Sequence, residues 1–101
     1  MCYEVLLIKA AQDDYNGLDG TTKKQAKAQL LKLTVSPELG HPLGNKMGLD
    51  LTEYRSSHFY ANKYRIVYKI DQEKKRVIVA GIGRREKDEI YEVVTRRLGR
   101  E

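Results

Sequence analysis

Two apolar runs near the C-terminus, YRIVYKID (Tyr64–Asp71) and RVIVAGIG (Arg76–Gly83), flank the polar stretch DQEKK. Both are rich in β-branched residues and of strand length, and so short a connection joins them as an antiparallel hairpin. The second run passes through two glycines and ends on two adjacent arginines, Arg84 and Arg85. A buried strand that stops on fixed positive charge constrains both the fold and what the fold is for.

The remaining elements arrange themselves around this hairpin. YEVLLI (Tyr3–Ile8) reads as a strand, and AAQDDYNGL as a short helix stopped by Gly17 and Gly20. A second helix is expected to open at Thr22, whose spacing to Gln25 fits a capping box. Ala26, Leu30 and Leu33 then recur at helical spacing, with Lys23, Lys24, Lys27 and Lys32 mostly on the other side. Pro37, Gly40, Pro42, Gly44 and Gly48 mark a long loop, and LTEYRSSHF is a weaker strand that YANK turns into the hairpin. From Glu86 to about Leu98, Ile90, Val93, Val94 and Leu98 form one helical stripe. Acids in its first turn and Arg96 and Arg97 in its last match the helix dipole. The order β–α–α–β–β–β–α describes an α+β domain, with helices packed on a small antiparallel sheet. The 101 residues suffice for one such domain.

Composition narrows the function classes. A hydrophobic fraction of 41% and a charged fraction of 33% suit a soluble globular chain. No stretch is apolar and long enough to cross a bilayer, and the N-terminus lacks the basic start of a signal peptide. Cys2 is the sole cysteine, so neither an internal disulfide nor a cysteine-rich metal site is available. A cytoplasmic protein without a membrane partner is expected. The net charge of +5 is lopsided: residues 1–54 carry a balance of −1 and residues 55–101 a balance of +6. A basic C-terminal half favours a polyanion or an acidic protein partner, although charge alone equally describes a well-solvated surface.

The cations and one tyrosine suggest a site. If the turn pairs Ile70 with Arg76, Arg65 opposes Gly81, and Arg85 lies on the same sheet face four residues further along. Gly81 and Gly83 would leave open space there for a ligand to approach. Tyr91, at the edge of the last helix's stripe, would pack its ring and extend its hydroxyl to that face. Two guanidiniums and a phenol around a hollow suit phosphate, and a neighbouring guanidinium favours the phenolate. Taken singly, each residue fits a structural role better than a functional one: an arginine lying over the sheet, or a core tyrosine with a wet tip. It is the constellation that suggests an anion site. His41 and His58 offer acid–base chemistry but fall in unrelated contexts. No pair of His, Cys or carboxylate residues shows metal-ligand spacing, and GIG lacks the rest of a dinucleotide fingerprint.

The stretch YRIVYKID…RVIVAGIGRREKDEIYEVVTRRL resembles the C-terminal half of the RelE branch of the RelE/ParE toxin superfamily. The resemblance is specific over about Tyr64 to Leu98, and earlier it extends to element order and to the SPELGHPLGNKM loop. It implies a RelE-like toxin of a type II toxin–antitoxin system, a ribosome-dependent mRNA interferase working without cofactor or metal. Its implied partners are a cognate antitoxin, the ribosome and mRNA, with operator DNA reached only through the antitoxin complex. Residue by residue, the resemblance places catalysis on Arg65, Arg85 and Tyr91. Arg84, Lys87, Lys63, Lys46, Arg55, Arg96 and Arg97 would form the surface that binds RNA and the ribosome. The prototype's two lysines on the preceding strand have no counterpart, because Leu51 and Glu53 fall there. Lys46, Lys63 and His58 are the candidate replacements, His58 as acid or base. Two rivals share the fold: a ParE-like gyrase inhibitor without nuclease activity, and an inactive module that only binds an antitoxin or assists repression.

Overall fold

The structure, a computed structural model, describes residues 2–46 (Lys46 by its backbone), 48–84, 86 and 89–99. Strand β1 (Glu4–Leu7) leads into helix α1 (Lys9–Asn16) and helix α2 (Gly20–Val35), followed by a 3-10 turn at Pro37–Leu39. Strands β2 (His41–Lys46), β3 (Leu49–Phe59), β4 (Tyr64–Asp71) and β5 (Arg76–Arg84) come next, and helix α3 (Glu89–Arg97) follows them. The five strands form one sheet in the order β1-β5-β4-β3-β2. Strands β2 to β5 are antiparallel neighbours, whereas β1 runs parallel to β5. The α+β class therefore holds, and the expectation of a purely antiparallel sheet is corrected to a mixed one. The parallel pairing follows from the α1–α2 excursion, which returns the chain to the far edge of the sheet before the meander of β2 to β5 begins. Among the described residues no helix is long and apolar enough to cross a membrane.

Three local readings change. The expected loop between Pro37 and Gly48 contains β2, an edge strand whose Pro42 and Gly44 flank an irregularity in its pairing with β3. An edge strand tolerates proline because one side of it needs no ladder donor. Helix α2 starts at Gly20 rather than Thr22: the Asp19 carboxylate accepts from the Thr22 N–H at 2.8 Å, and Thr22 itself is buried in the first turn. Those Thr22 hydrogen bonds hold the Asp19 carboxyl below its ordinary value of 3.8. The cap is thus intact above that value and is lost as pH falls through the lowered one. The third change is in the β4–β5 hairpin, where Asp71 pairs with Arg76 and Ala80 is an extra residue between the Tyr68–Val79 and Val67–Gly81 pairs. Arg65 consequently opposes Gly83, not Gly81. The turn and the bulge each shift the register by one residue, so the total of two leaves the side-chain faces as expected.

The sheet buries both faces. Ile66, Tyr68, Val77, Val79 and Ile82 pack under α1 and α2 through Ala11, Ala26 and Leu33. Tyr68 is fully buried there; its hydroxyl donates to the Pro37 carbonyl at 2.6 Å and accepts from the Gly40 N–H at 2.9 Å. Burial pushes the Tyr68 hydroxyl above its ordinary value of 10.0, so this brace stays protonated.

On the opposite face Leu51, Tyr54, Val67 and Ala80 receive Ile90, Tyr91 and Val94 of α3. The glycines of β5 make that contact close. A Cβ at Gly81 would stand 2.7 Å from Val94 Cγ2 and 3.0 Å from Ile90 Cδ1, and one at Gly83 would stand 3.1 Å from Ile90 Cδ1. The hollow expected over these glycines is therefore filled by the protein's own helix. We predict that Gly81→Ala lowers the unfolding free energy by about 1–3 kcal/mol, the usual cost of overpacking, measurable by urea titration. Gly44→Ala, with nothing within 4 Å of its added Cβ, has only its positive φ against it.

Candidate active site

The alternation of β3 and β4 brings a set of polar residues to the α3 face. His58 is directly across from Arg65, and Ser56 lies two residues before His58 on the same side of β3. On the outer edge, His41 of β2 pairs with Ser56. Tyr91 comes down from α3 onto this corner with its ring buried, its guanidinium neighbour Arg65 centred 5.1 Å from the ring centroid. Arg65 donates a hydrogen bond from its terminal nitrogen to the Tyr91 hydroxyl, which in turn donates to Ser56 Oγ at 3.2 Å.

Arg65, Tyr91 and Ser56 are all more than nine-tenths buried, so this corner is built into the core rather than laid on the surface. It opens through a cavity of about 300 Å³ walled by His41, Ser56, His58, Arg65 and Tyr91. Arg65 also borders a larger cavity of about 830 Å³, in which Tyr60, Lys63, Tyr64 and Arg84 take part. A guanidinium held by aromatic contact and hydrogen bonding, with one side turned to open volume, is a preorganised donor for an anionic oxygen.

The predicted residues divide clearly. Arg65 and Tyr91 meet, and His58 adjoins them across the strand pair. Arg84 and Lys63 are exposed at the larger cavity, lying over the rings of Tyr64 and Tyr60 at 6.0 Å and 5.6 Å. Arg96 is exposed on α3.

Two expected surface cations are turned to structural work. Arg55 donates to the Gly40 carbonyl at 2.9 Å, bracing the chain ahead of β2. Arg97 forms two bonds to the Asp14 carboxylate, at 2.8 and 2.9 Å, and a third to the Ala80 carbonyl at 3.0 Å. This pairing ties α3 to α1 across the end of β5, and the Asp14 hydrogen bond raises Arg97 above its ordinary value. Arg85, Lys87 and the side chain of Lys46 lie outside the described residues.

Leu51 and Glu53, at the positions of the missing lysines, do not supply a substitute. Leu51 is fully buried in the apolar cluster under α3, and Glu53 is exposed with φ of 80°, at an irregularity that turns it out of the alternation. Ser56 is not marked as a site residue by the sequence, and His41 and His58, whose sequence contexts are unrelated, meet at this corner. The pairing of β3 with β4 brings Ser56 to Arg65, and the pairing of β2 with β3 adds His41; the prolines and glycines around His41 conceal its strand. Among the described residues no group of three or more His, Cys, Asp or Glu is placed to hold a metal ion.

We predict that Asp14→Ala, which strands Arg97 beside the Ala80 carbonyl, lowers stability by roughly 1–3 kcal/mol. Arg97→Ala should cost a comparable amount in chemical denaturation, as expected of a clamp rather than an RNA contact.

Known proteins share this architecture. Residues 5–89 match the family model described as the ParE toxin of the type II toxin–antitoxin system parDE. The mRNA interferase toxin RelE of Escherichia coli strain K12 is 26% identical over 98 residues, covering 97% of this chain and 99% of that one. A solved E. coli RelE variant with two arginines replaced by alanine, in the free state, is 25% identical, with a TM-score of 0.76 over 97% of this chain and 99% of that chain. The toxin–antitoxin complex RelBE2 of Mycobacterium tuberculosis aligns at 24% identity and a TM-score of 0.70, over 84% of this chain and all of its counterpart, and supports the fold. With most of its length matched by that model and its architecture that of RelE, the chain belongs to the ParE toxin family of type II toxin–antitoxin systems, within the RelE/ParE superfamily.

Proposed function

We propose that the toxin is a RelE-type endoribonuclease that cuts mRNA on the ribosome without a metal ion. The observation that carries this reading is the buried Arg65–Tyr91 hydrogen bond facing an open cavity. A gyrase-blocking surface has no need of a buried guanidinium aimed at open volume, whereas a scissile phosphate does. In this mechanism the ribose 2′-OH attacks the adjacent phosphorus, leaving a cyclic phosphate and a 5′-OH. Arg65, together with Arg85, balances the charge that grows on the phosphate oxygens, and Tyr91 orients the guanidinium and the attacking group. RNA chains reach the site over the exposed cations of the C-terminal half, Lys63, Arg84 and Arg96 among them, which makes binding steeply salt-dependent. A cognate antitoxin neutralises the toxin; the E. coli and M. tuberculosis relatives were solved as complexes with such partners.

Primer extension on a defined mRNA, with and without programmed ribosomes, tests this reading. Discrete cuts that require the ribosome are expected, falling ~10²–10³-fold in Arg65→Ala if the arginine acts on the transition state. Arg85→Ala is expected to be similarly impaired. Intact mRNA under both conditions, with gyrase supercoiling inhibited by the same preparation, would contradict the nuclease and establish the ParE-like alternative.

A further inference from the structure

We infer that His41 and His58 form the proton-transfer pair of this site, taking the place of the lysines that Leu51 and Glu53 replace. The inference rests on the nuclease reading above and adds the groups that move the protons.

Transesterification needs a base for the 2′-OH and an acid for the departing 5′ oxygen. A guanidinium such as that of Arg65 supplies charge, but as a class guanidiniums do not serve as proton donors or acceptors. Leu51 has no proton to give, and Glu53 is exposed outside the cavity wall.

The histidines are placed for the task by the sheet itself. His58 sits opposite Arg65, and His41 sits opposite Ser56, the residue that receives the Tyr91 hydroxyl. Their ring centroids lie 6.0 Å apart, with planes inclined by 52°. That separation is an ordinary tilted ring contact, so a phosphodiester seated in the adjoining cavity meets both imidazoles from one side rather than lying between them. Both rings line the same cavity as Arg65 and Tyr91, so a phosphate held by the guanidinium lies within their reach. His41 is exposed and His58 half-buried, giving both access to solvent for resetting their protons.

The step balances within the pair. One imidazole accepts the 2′-OH proton as the new O2′–P bond forms. The other, as imidazolium, delivers its proton to O5′ as the P–O5′ bond breaks. The products are a 2′,3′-cyclic phosphate and a 5′-OH, and the pair ends with its protonation states exchanged.

The experiment compares wild-type toxin with His41→Gln and His58→Gln on programmed ribosomes, with Asn variants at both positions run in parallel and folding checked by urea titration. Each acts on normal mRNA and on mRNA carrying sulfur in place of O5′ at the wild-type cut site. A thiolate leaves without a proton, so sulfur removes the need for the acid. Each variant should cut normal mRNA ~10²–10⁴-fold more slowly than wild type. One of the two should recover to within about tenfold of wild type on the sulfur substrate, which identifies the acid. Cutting of normal mRNA by either variant within about threefold of wild type overturns the inference, as does loss by both variants with no recovery on sulfur. Failure of the wild-type toxin to cut at all is a different result: it overturns the nuclease reading, and this inference with it.

Discussion

The close descent of α3 onto β5 is the contact from which the rest of this molecule takes its form. A helix whose Val94 and Ile90 press within about a methyl group's reach of the strand backbone requires that the strand carry no side chains there, and Gly81 and Gly83 meet that requirement. Protein interiors tolerate little extra volume, so these two positions fix how deep α3 sits. Depth in turn decides where Tyr91 ends: its ring is buried, and its hydroxyl is delivered to Arg65 and Ser56. At the other end of the helix, Arg97 on Asp14 and Ala80 keeps α3 from rolling away. Close packing and a partly buried ion pair thus make one polar corner rigid.

That corner reconciles two demands that ordinarily conflict. Burying a guanidinium costs free energy unless its hydrogen bonds are met, yet the phosphate-binding role proposed for Arg65 requires donors presented to a ligand. Aromatic contact and the Tyr91 hydroxyl support Arg65 from the helix side, and the cavity beyond it stays open. The basic C-terminal half serves two ends at once. Arg97 and Arg55 are consumed in holding elements together, while Lys63, Arg84 and Arg96 stay exposed, as the proposed RNA contact requires.

Much of this was legible in the sequence because it is written in local patterns. The β4–β5 hairpin and the stripe of α3 follow from periodicity, and the face shared by Arg65 and the β5 glycines survived a wrong register because two single-residue shifts cancel in parity. The glycines themselves were misjudged: absence of a side chain signals close approach but does not say whether a ligand or the chain's own helix approaches. Strand β2 was hidden by Pro42 and Gly44, which read as loop although an edge strand can carry them. With β2 went the connection from His41 to Ser56 and Arg65, a relation between residues far apart in the chain that only the sheet's pairing reveals. The parallel placement of β1 was equally out of reach, since nothing in YEVLLI specifies which neighbour it finds.

In the proposed mechanism Arg65 and Tyr91 act as one unit because α3 locks them together. A double-mutant cycle on ribosome-dependent cleavage tests it most directly, comparing Arg65→Gln, Tyr91→Phe and the two combined. Residues that act as a unit are grossly non-additive, so the double variant should cut little more slowly than the worse single variant. Rate losses that simply multiply would show two independent residues, not one unit.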